Sequence, residues 1–170
     1  MAKTWPNIRA MLDANILIAG SVWPRWPYEV LQHAMNGDFQ LVLSPYIIAQ
    51  AQAQITKSFP DGAWRFQQLI ERSNLELVKN PTKQQIEKAA GLVRDVTDIP
   101  VALAAINAKV DYLVSEDKHL TAKDKTTEQL REKLTVLLSG TFLREVMDWT
   151  SQRLERIRHR TWKDQIPKQS

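Results

Sequence analysis

The stretch from Thr97 to Leu120, TDIPVALAAINAKVDYLVSEDKHL, constrains the fold of this chain more than any other part of the sequence. Asp98, with a proline shortly behind it, is a typical N-terminal signal, and the small apolar residues that follow predict a helix ending at Lys109. Residues 111–114 predict a short buried strand, which ends close to a second acid, Asp117. In an open α/β sheet, ligands bind in the crevice beyond the carboxyl ends of the strands. Both acids of this stretch are therefore expected near such a crevice.

A second strand followed by an acid lies near the start of the chain. Residues 8–12 predict a strand, and Asp13 and Asn15 follow it. Parallel strands end at the same edge of a sheet, so Asp13 and Asp117 are expected to face one crevice, with Asp98 at its helix start beside them. We therefore predict that three carboxylates converge at one point of the fold.

The remaining sequence alternates between predicted strands and helices. Such alternation indicates a parallel sheet covered by helices on both faces, and therefore the α/β class with about five strands. A chain of 170 residues fits one domain. We predict that residues 1–150 form this domain and that residues 151–170 extend it as the end of a long C-terminal helix and a tail. Further strands are expected at 39–43, 75–78 and 134–138, and helices at 15–19, 28–36, 46–57, 63–72, from Thr82 to Val93, and after Gly140; Gly20 is expected to interrupt the first helix.

The net charge of +4 is concentrated in the last part of the chain. Six basic and two acidic residues fall in residues 151–170, which leaves residues 1–150 with no net charge. A basic tail is compatible with a polyanionic partner such as RNA, and a solvated helix face explains it equally well. Arg153, Arg156 and Arg160 share one face of the predicted helix and are the candidates for contacting nucleic acid.

The composition excludes several kinds of site. The chain has no cysteine, which excludes disulfides and thiolate metal sites, and its five glycines form no Gly-rich phosphate loop. The longest uncharged apolar stretch, near residues 99–106, is too short for a bilayer, which needs about 20 residues. Asp13 and Asn15 interrupt the apolar run at the N-terminus, so no secretory signal is expected there. We expect a soluble, cytoplasmic protein without a membrane partner.

The three predicted acids suit a hard divalent cation. Asp13, Asp98 and Asp117 offer carboxylate oxygens, the ligands that Mg²⁺ and Mn²⁺ prefer. Two unit charges about 4 Å apart repel by roughly 4 kcal/mol at an effective dielectric of 20, so gathered carboxylates take up protons or hold a cation. Each acid alone also has a structural explanation, as a helix cap for the first two and as a solvated turn residue for the third. Their joint placement favours a metal site.

The segments that carry these acids resemble the PIN domain family. The likeness rests on MLDANILIAG around Asp13, on the helix start at Asp98 and on LVSEDKHL around Asp117, in this order and spacing. It extends over about residues 8–149 and includes the strand-to-helix junction VLSP at residues 42–45. Within the family, the likeness is strongest to the single-domain, VapC-like PIN proteins of prokaryotic toxin–antitoxin pairs.

The resemblance implies a Rossmann-like α/β/α sandwich and a metal-dependent ribonuclease that hydrolyses RNA phosphodiester bonds as the toxin of a toxin–antitoxin pair. Carried over residue by residue, Asp13, Asp98 and Asp117 are the metal-binding and catalytic acids. Asn15 and Ser115 match polar positions that support the first and the last of them. The resemblance also implies Mg²⁺ or Mn²⁺ as the cofactor, RNA and an antitoxin protein as partners, and allows a homodimer.

Gln50 departs from the family pattern. Members of the family typically carry a glutamate one turn into the helix after Ser44 and Pro45, whereas the glutamine found here brings no charge and cannot act as a base. The loss of one carboxylate favours a single bound ion over a pair. Glu29 and Glu116 are candidates for supplying the missing carboxylate. Two hypotheses remain: a metal-dependent ribonuclease, and a PIN-like module that binds RNA or a protein partner without cleavage.

Overall fold

Five short parallel strands form the central sheet of the molecule, whose computed structural model describes residues 7–165. They lie in the order β3-β2-β1-β4-β5, and every neighbouring pair is parallel. The strands are β1 (Arg9–Leu12), β2 (Gln40–Leu43), β3 (Glu76–Leu77), β4 (Tyr112–Val114) and β5 (Val136–Leu137). The predicted fold class, an α/β/α sandwich around a parallel sheet of about five strands, is confirmed.

Helices connect the strands, because parallel strands need crossover connections. Short 3₁₀ turns precede α4, α6 and α8. None of the helices between residues 7 and 165 is both long and apolar enough to span a membrane. The helices of this range are α1 (Ala14–Val22), α2 (Trp26–Met35), α3 (Pro45–Ser58), α4 (Ala63–Arg72), α5 (Lys83–Lys88), α6 (Ile99–Ala108), α7 (Lys118–Thr121), α8 (Glu128–Lys133), α9 (Ser139–Glu145), α10 (Ser151–Ile157) and α11 (Trp162–Gln165).

β1 is the middle strand and sets the position of the crevice. Its Met11 lies between Val42 of β2 and Leu113 of β4, and all three side chains are buried. The chain proceeds from β1 outward to β2 and β3, and then returns to the other side of β1 to form β4 and β5. The direction of the strand order therefore reverses between β1 and β4, and ligands bind at such a switch point in open α/β sheets.

Arg9 stabilises the amino ends of the strands, at the edge of the sheet opposite the crevice. Its Nε and Nη2 atoms donate to the two carboxylate oxygens of Glu76 on β3 at 3.0 and 2.6 Å. Its Nη1 atom donates to the carbonyl of Ala108 at 2.7 Å, which satisfies one of the free carbonyls at the end of α6. One guanidinium thus connects a central strand, an edge strand and a helix at the end of the sheet remote from the predicted acids.

Gly20 does not interrupt the first helix as predicted, because α1 runs through it as far as Val22. The absence of a side chain serves packing instead. A Cβ atom at this position would lie 2.5 Å from Cδ1 of Leu31 on α2, closer than two carbon atoms can approach. The glycine therefore allows α1 and α2 to pack closely.

The prediction of a long C-terminal helix is also wrong, because this segment forms three short helices, α9 to α11. Asp148 has a φ of 65°, in the left-handed region that ends a helix, and the hydroxyl of Thr150 accepts a hydrogen bond from the Arg153 amide at 3.1 Å as a new N-cap. The buried side chains of Leu154 and Ile157 join the same hydrophobic core as the sheet. Residues 166–170 of the predicted extension lie outside the described residues.

The helix expected from Thr82 to Val93 is shorter than predicted, since α5 ends at Lys88. Gly91 has a φ of 90°, a conformation that L-residues rarely adopt and that breaks the helix. Val93 is nevertheless buried in the core, so the apolar pattern indicated burial correctly and secondary structure incorrectly.

Replacing Gly20 by alanine is expected to lower the free energy of unfolding by about 1–3 kcal/mol, although alanine favours a helix by about 1 kcal/mol. The added methyl group would overpack the contact with Leu31. Urea denaturation of the wild type and of Gly20→Ala measures the change. In a Leu31→Ala background the same substitution should cost less, because the opposing side chain is gone. A gain in stability for Gly20→Ala alone would contradict the packing explanation.

Candidate functional site

Asp13 stands where β1 ends and is almost fully buried, with 6% of its surface exposed. Its Oδ1 atom accepts a hydrogen bond from the Ala14 amide at 2.8 Å, so Asp13 caps α1, the structural role that the sequence also allowed. Its Oδ2 atom accepts hydrogen bonds from the hydroxyl of Ser115 at 2.8 Å and from Nδ2 of Asn15 at 3.3 Å. Asp13 therefore takes part in the switch-point crevice as well as in the helix start.

Asn15 and Ser115 connect the ends of β1 and β4. Nδ2 of Asn15 also donates to Oγ of Ser115 at 3.2 Å, and its Oδ1 atom accepts from the Glu116 amide at 3.1 Å. The Ser115 hydroxyl accepts in addition from the Asp117 amide at 3.0 Å. The two residues thus hold Asp13 and the backbone of Asp117 in one hydrogen-bond network.

Asp98 and Asp117 are in direct contact. Asp98 ends the 3₁₀ turn before α6, where its side chain does not cap the helix, and it is hydrogen-bonded to the Asp117 side chain. Oδ1 of Asp117 also accepts from the His119 amide at 2.8 Å and so caps α7. The Oδ2 atom of Asp98 is buried and has no hydrogen-bond donor. A buried oxygen without a donor is costly, and such an atom calls for an explanation.

The electrostatics of the site follow from this gathering of acids. Burial, the hydrogen bond with Asp117 and the charges of Asp117 and Asp13 together raise the pKa of Asp98 to about 8. Burial also raises the pKa of Asp13, and the charge of Asp117 adds to this effect, while the hydrogen bonds from Ser115 and Ala14 oppose it. With its pKa at about 8, Asp98 carries a proton at neutral pH, which removes the repulsion between its charge and that of the neighbouring acids.

The carboxylate side chains of this site are of the type that binds a divalent cation, but they are not arranged as a complete set of metal ligands. Within residues 7–165, no three histidine or carboxylate side chains surround one point as ready metal ligands. Asp98 instead holds a proton at neutral pH, and its Oδ2 atom is left without a hydrogen-bond donor. A hard cation offsets the same negative charge that the proton offsets, and carboxylate oxygens are its preferred ligands.

Neither Glu29 nor Glu116 supplies the carboxylate that is missing at position 50. Gln50 lies on the exposed side of α3. Glu29 accepts a hydrogen bond from Nη2 of Arg160 at 2.7 Å. The carboxylate of Glu116 accepts hydrogen bonds from the amide and the hydroxyl of Ser139, so it is held at the start of α9. Both glutamates are therefore engaged in contacts of the fold.

Tyr46 lies beside the turn that carries Asp98 and was missed by sequence reasoning. Its hydroxyl donates to the carbonyl of Thr97, the residue before Asp98, across 3.4 Å. Burial raises the pKa of the Tyr46 phenol, followed by the charges of Asp98, Asp13 and Asp95. The sequence signal that could have indicated Tyr46 is its position four residues before Gln50, because residues four apart share one face of a helix.

The three arginines of the C-terminal segment differ in their surroundings. The Arg160 side chain is only 17% exposed and donates to the Pro24 carbonyl at 2.6 Å and to Glu29. The Arg153 guanidinium stacks on the Trp149 ring at 3.6 Å, and Arg156 is exposed. A nucleic-acid contact by these residues stays a prediction, and Arg160 would have to give up contacts within the fold to make one.

Comparison with known proteins points to one family. A family described as the PIN domain matches residues 9–119. Protein PAE2754 from Pyrobaculum aerophilum has a similar structure, with a TM-score of 0.57 and 14% identity over 84% of this chain and 97% of that one. VapBC2 from Rickettsia felis, solved with a DNA fragment from its promoter, has a TM-score of 0.51 and 19% identity over 77% of this chain and 98% of its own. No functionally curated protein matches the chain.

The raised pKa of Asp98 makes the stability of the fold depend on pH. The carboxyl titrates near 3.8 when unfolded and at about 8 when folded, so between these values the folded state binds the additional proton. Stability from this source is present at low pH and falls as the pH rises toward 8. Asp98→Asn cannot titrate, and the unfolding free energy of the wild type relative to this variant should fall from about pH 5 to about pH 8.

Urea denaturation in EDTA at several pH values measures this difference. Asp61→Asn provides a matched control, since Asp61 is an exposed acid in the 3₁₀ turn after α3. Its difference from the wild type should not follow the same course. A flat difference between the wild type and Asp98→Asn would show that the pKa of Asp98 is not raised in the folded protein.

Proposed function

This chain belongs to the PIN domain family, whose sequence pattern covers residues 9–119, and we propose that it is a metal-dependent ribonuclease that serves as the toxin of a toxin–antitoxin pair. The family assignment and its VapC-like structural neighbour support a nuclease of a toxin–antitoxin family. The cation and the RNA substrate are the further steps of the proposal.

One observation carries the proposal: Asp98 contacts Asp117 at the switch-point crevice, close enough to Asp13 for its charge to act on them, and one oxygen of Asp98 has no donor. Close carboxylates repel each other, and a buried oxygen without a donor is unfavourable. Such an arrangement is typical of a site where the carboxylates bind a cation or take part in a reaction. We assign Asp13, Asp98 and Asp117 as the residues that hold Mg²⁺ or Mn²⁺. Asn15 and Ser115 keep the first and third of these acids in place through their hydrogen bonds.

The proposed reaction is the hydrolysis of a phosphodiester bond by water. A divalent cation held by Asp13, Asp98 and Asp117 would neutralise charge on the phosphate and lower the pKa of an attacking water. With its own proton displaced by that cation, Asp98 would accept a hydrogen bond, and then the proton, from the water. The water oxygen forms the new bond to phosphorus, while the ester oxygen leaves with its electron pair and takes up a proton from solvent.

The proposed partners are an RNA strand and an antitoxin protein. VapBC2, a structural neighbour, was solved with DNA from its promoter, and its likeness to this chain extends over 98% of its matched chain. An RNA substrate is consistent with action in the cytoplasm. Lysine and arginine side chains would hold the flanking phosphates, with Arg153 and Arg156 as the exposed candidates on α10. A homodimer is a further assembly that solution measurements can test.

Gln50 supports a second candidate function, a PIN-like module that binds RNA or a protein partner without cleavage. It stands one turn after Tyr46 on α3, and the Tyr46 phenol lies in the field of Asp98 and Asp13. A glutamine on this face can accept a hydrogen bond or hold a water, but it adds no negative charge for a cation. Cleavage activity is therefore the property that separates the two candidates.

We expect the wild type to cleave single-stranded RNA with Mn²⁺ or Mg²⁺ and not with EDTA, and Asp117→Asn to lose at least about a hundredfold in rate, the scale on which removal of metal-site partners acts. A gel assay with an end-labelled oligonucleotide measures the rates, and a DNA oligonucleotide of the same sequence tests the choice of substrate. Asp61→Asn, which changes an exposed acid beyond the far end of α3, should cleave like the wild type.

Thermal melting provides a readout that does not depend on cleavage. A ligand that binds only the folded state stabilises it, so millimolar Mn²⁺ should raise the melting temperature of the wild type and of Asp61→Asn but not of Asp117→Asn. Equal shifts in all three proteins would place the ion elsewhere. A shift specific to the acids without any cleavage would favour the second candidate function.

Gln50→Glu tests whether α3 presents residue 50 to the acids. With Mn²⁺ present, the added carboxylate should tighten ion binding in calorimetry and leave RNA cleavage at least as fast as in the wild type, because the new charge is attracted to the cation. Without the ion, the same change should lower stability, because it adds repulsion to three acids. A variant that is equally destabilised with and without Mn²⁺, and gains neither affinity nor rate, would show that residue 50 does not face the site.

A further inference from the structure

The Tyr46 hydroxyl lies at the carbonyl of Thr97, the residue before Asp98, and projects from a fixed piece of backbone. Tyr46 follows Pro45 at the start of α3, and its amide donates to Oδ1 of Asn80 at 3.0 Å. The hydroxyl of Ser44 caps the same helix end by accepting from the Ile47 amide. The phenol therefore projects from a helix start that is capped and bonded to the chain after β3.

The hydroxyl of Tyr46 has only a weak partner. Its hydrogen bond to the Thr97 carbonyl is 3.4 Å long, near the upper limit for a hydrogen bond and well beyond the usual O–H to O distance of about 2.7–2.8 Å. This contact is exposed, so water can take the place of the hydroxyl at the Thr97 carbonyl. The phenol can leave this bond at little cost and donate to another acceptor.

The charged groups around the Tyr46 hydroxyl indicate which kind of acceptor it can donate a hydrogen bond to. The groups whose charges act on the phenol and raise its pKa are the carboxyl groups of Asp98, Asp13 and Asp95. A neutral phenol that keeps its proton is a hydrogen-bond donor beside these acids, and it brings no positive charge that would compete with a cation for their oxygens. An acceptor that approaches the acids together with a cation, such as a phosphate oxygen, is the ligand that such a donor suits.

We propose that Tyr46 is a substrate-binding residue of this site, whose hydroxyl exchanges the Thr97 carbonyl for a non-bridging phosphate oxygen of the bound nucleic acid strand. The proposal rests on the proposed function, because it takes the phosphate to be held at the acids. It adds a contact to the substrate from α3, the helix that carries Gln50 one turn after Tyr46. The contact affects the binding of the strand and leaves the affinity of the acids for the ion unchanged.

Tyr46→Phe tests the proposal, because it removes the hydroxyl and keeps the ring. The probe is a fluorescent single-stranded RNA oligonucleotide, whose anisotropy is measured with Ca²⁺ in place of Mn²⁺ and whose integrity is checked on a gel, so that binding is measured apart from cleavage. We expect Tyr46→Phe to bind it about tenfold more weakly, the effect of one hydrogen bond to a charged group. Calorimetric Mn²⁺ affinity should stay within about twofold of the wild type.

Tyr112→Phe is the matched control, since Tyr112 lies at the start of β4 and its ring contacts Phe142 in the core. It should behave like the wild type in both measurements. If Tyr46→Phe binds the oligonucleotide as tightly as the wild type, the inference about Tyr46 is overturned while the ribonuclease proposal stands. If Mn²⁺ affinity falls in parallel with RNA binding, Tyr46 shapes the acids and does not contact the strand. If the wild type binds no RNA, the proposed function fails, and the inference fails with it.

Discussion

The contact between Asp98 and Asp117 is the interaction on which the chemistry proposed for this molecule depends. Two ionised carboxylates about 4 Å apart repel by roughly 4 kcal/mol at an effective dielectric of 20, so the pair exists only with a proton or a cation between its charges. Without an ion, the proton resides on Asp98, whose pKa is raised to about 8. At neutral pH the site is therefore poised to exchange one proton for a cation, and ion binding should release that proton.

The fold holds the third acid, Asp13, by a different means. Its hydrogen bonds come from the neutral groups of Ala14, Asn15 and Ser115, which stabilise a buried carboxylate without cancelling its charge. These donors are available because β1 pairs directly with β4, so the residues after the two strands meet. The reversal of strand order between β1 and β4 thus supplies both the crevice and the network that lines it. Topology and electrostatics reinforce each other at this point.

The sequence was informative wherever one local pattern had one structural outcome. Apolar runs followed closely by Asp13 or Asp117 predicted the two strand ends, and the parallel sheet then required these ends to share an edge. The sequence offered only a weak signal for Tyr46, because its approach to the turn that carries Asp98 depends on how α3 packs beside that turn. Gly20 was misinterpreted for a similar reason, since its neighbour Leu31 belongs to another helix. The left-handed conformation of Asp148, which divides the C-terminal segment, has no clear signal in the sequence.

The three acids differ in how firmly the fold holds them, and this difference bears on how an ion would be bound. The backbone after β1 continues the sheet, because the Asp13 amide donates to the Val114 carbonyl at 3.0 Å, and Ser115 in turn accepts from the Asp117 amide. Asp98 instead ends a 3₁₀ turn that is tied to α3 by the long bond from Tyr46. Asp98 is therefore the acid best able to adjust when its proton is replaced by a cation. With Gln50 in place of a fourth carboxylate, two firmly held acids and one adjustable acid suit a single ion, because a second cation would have too little negative charge to offset it.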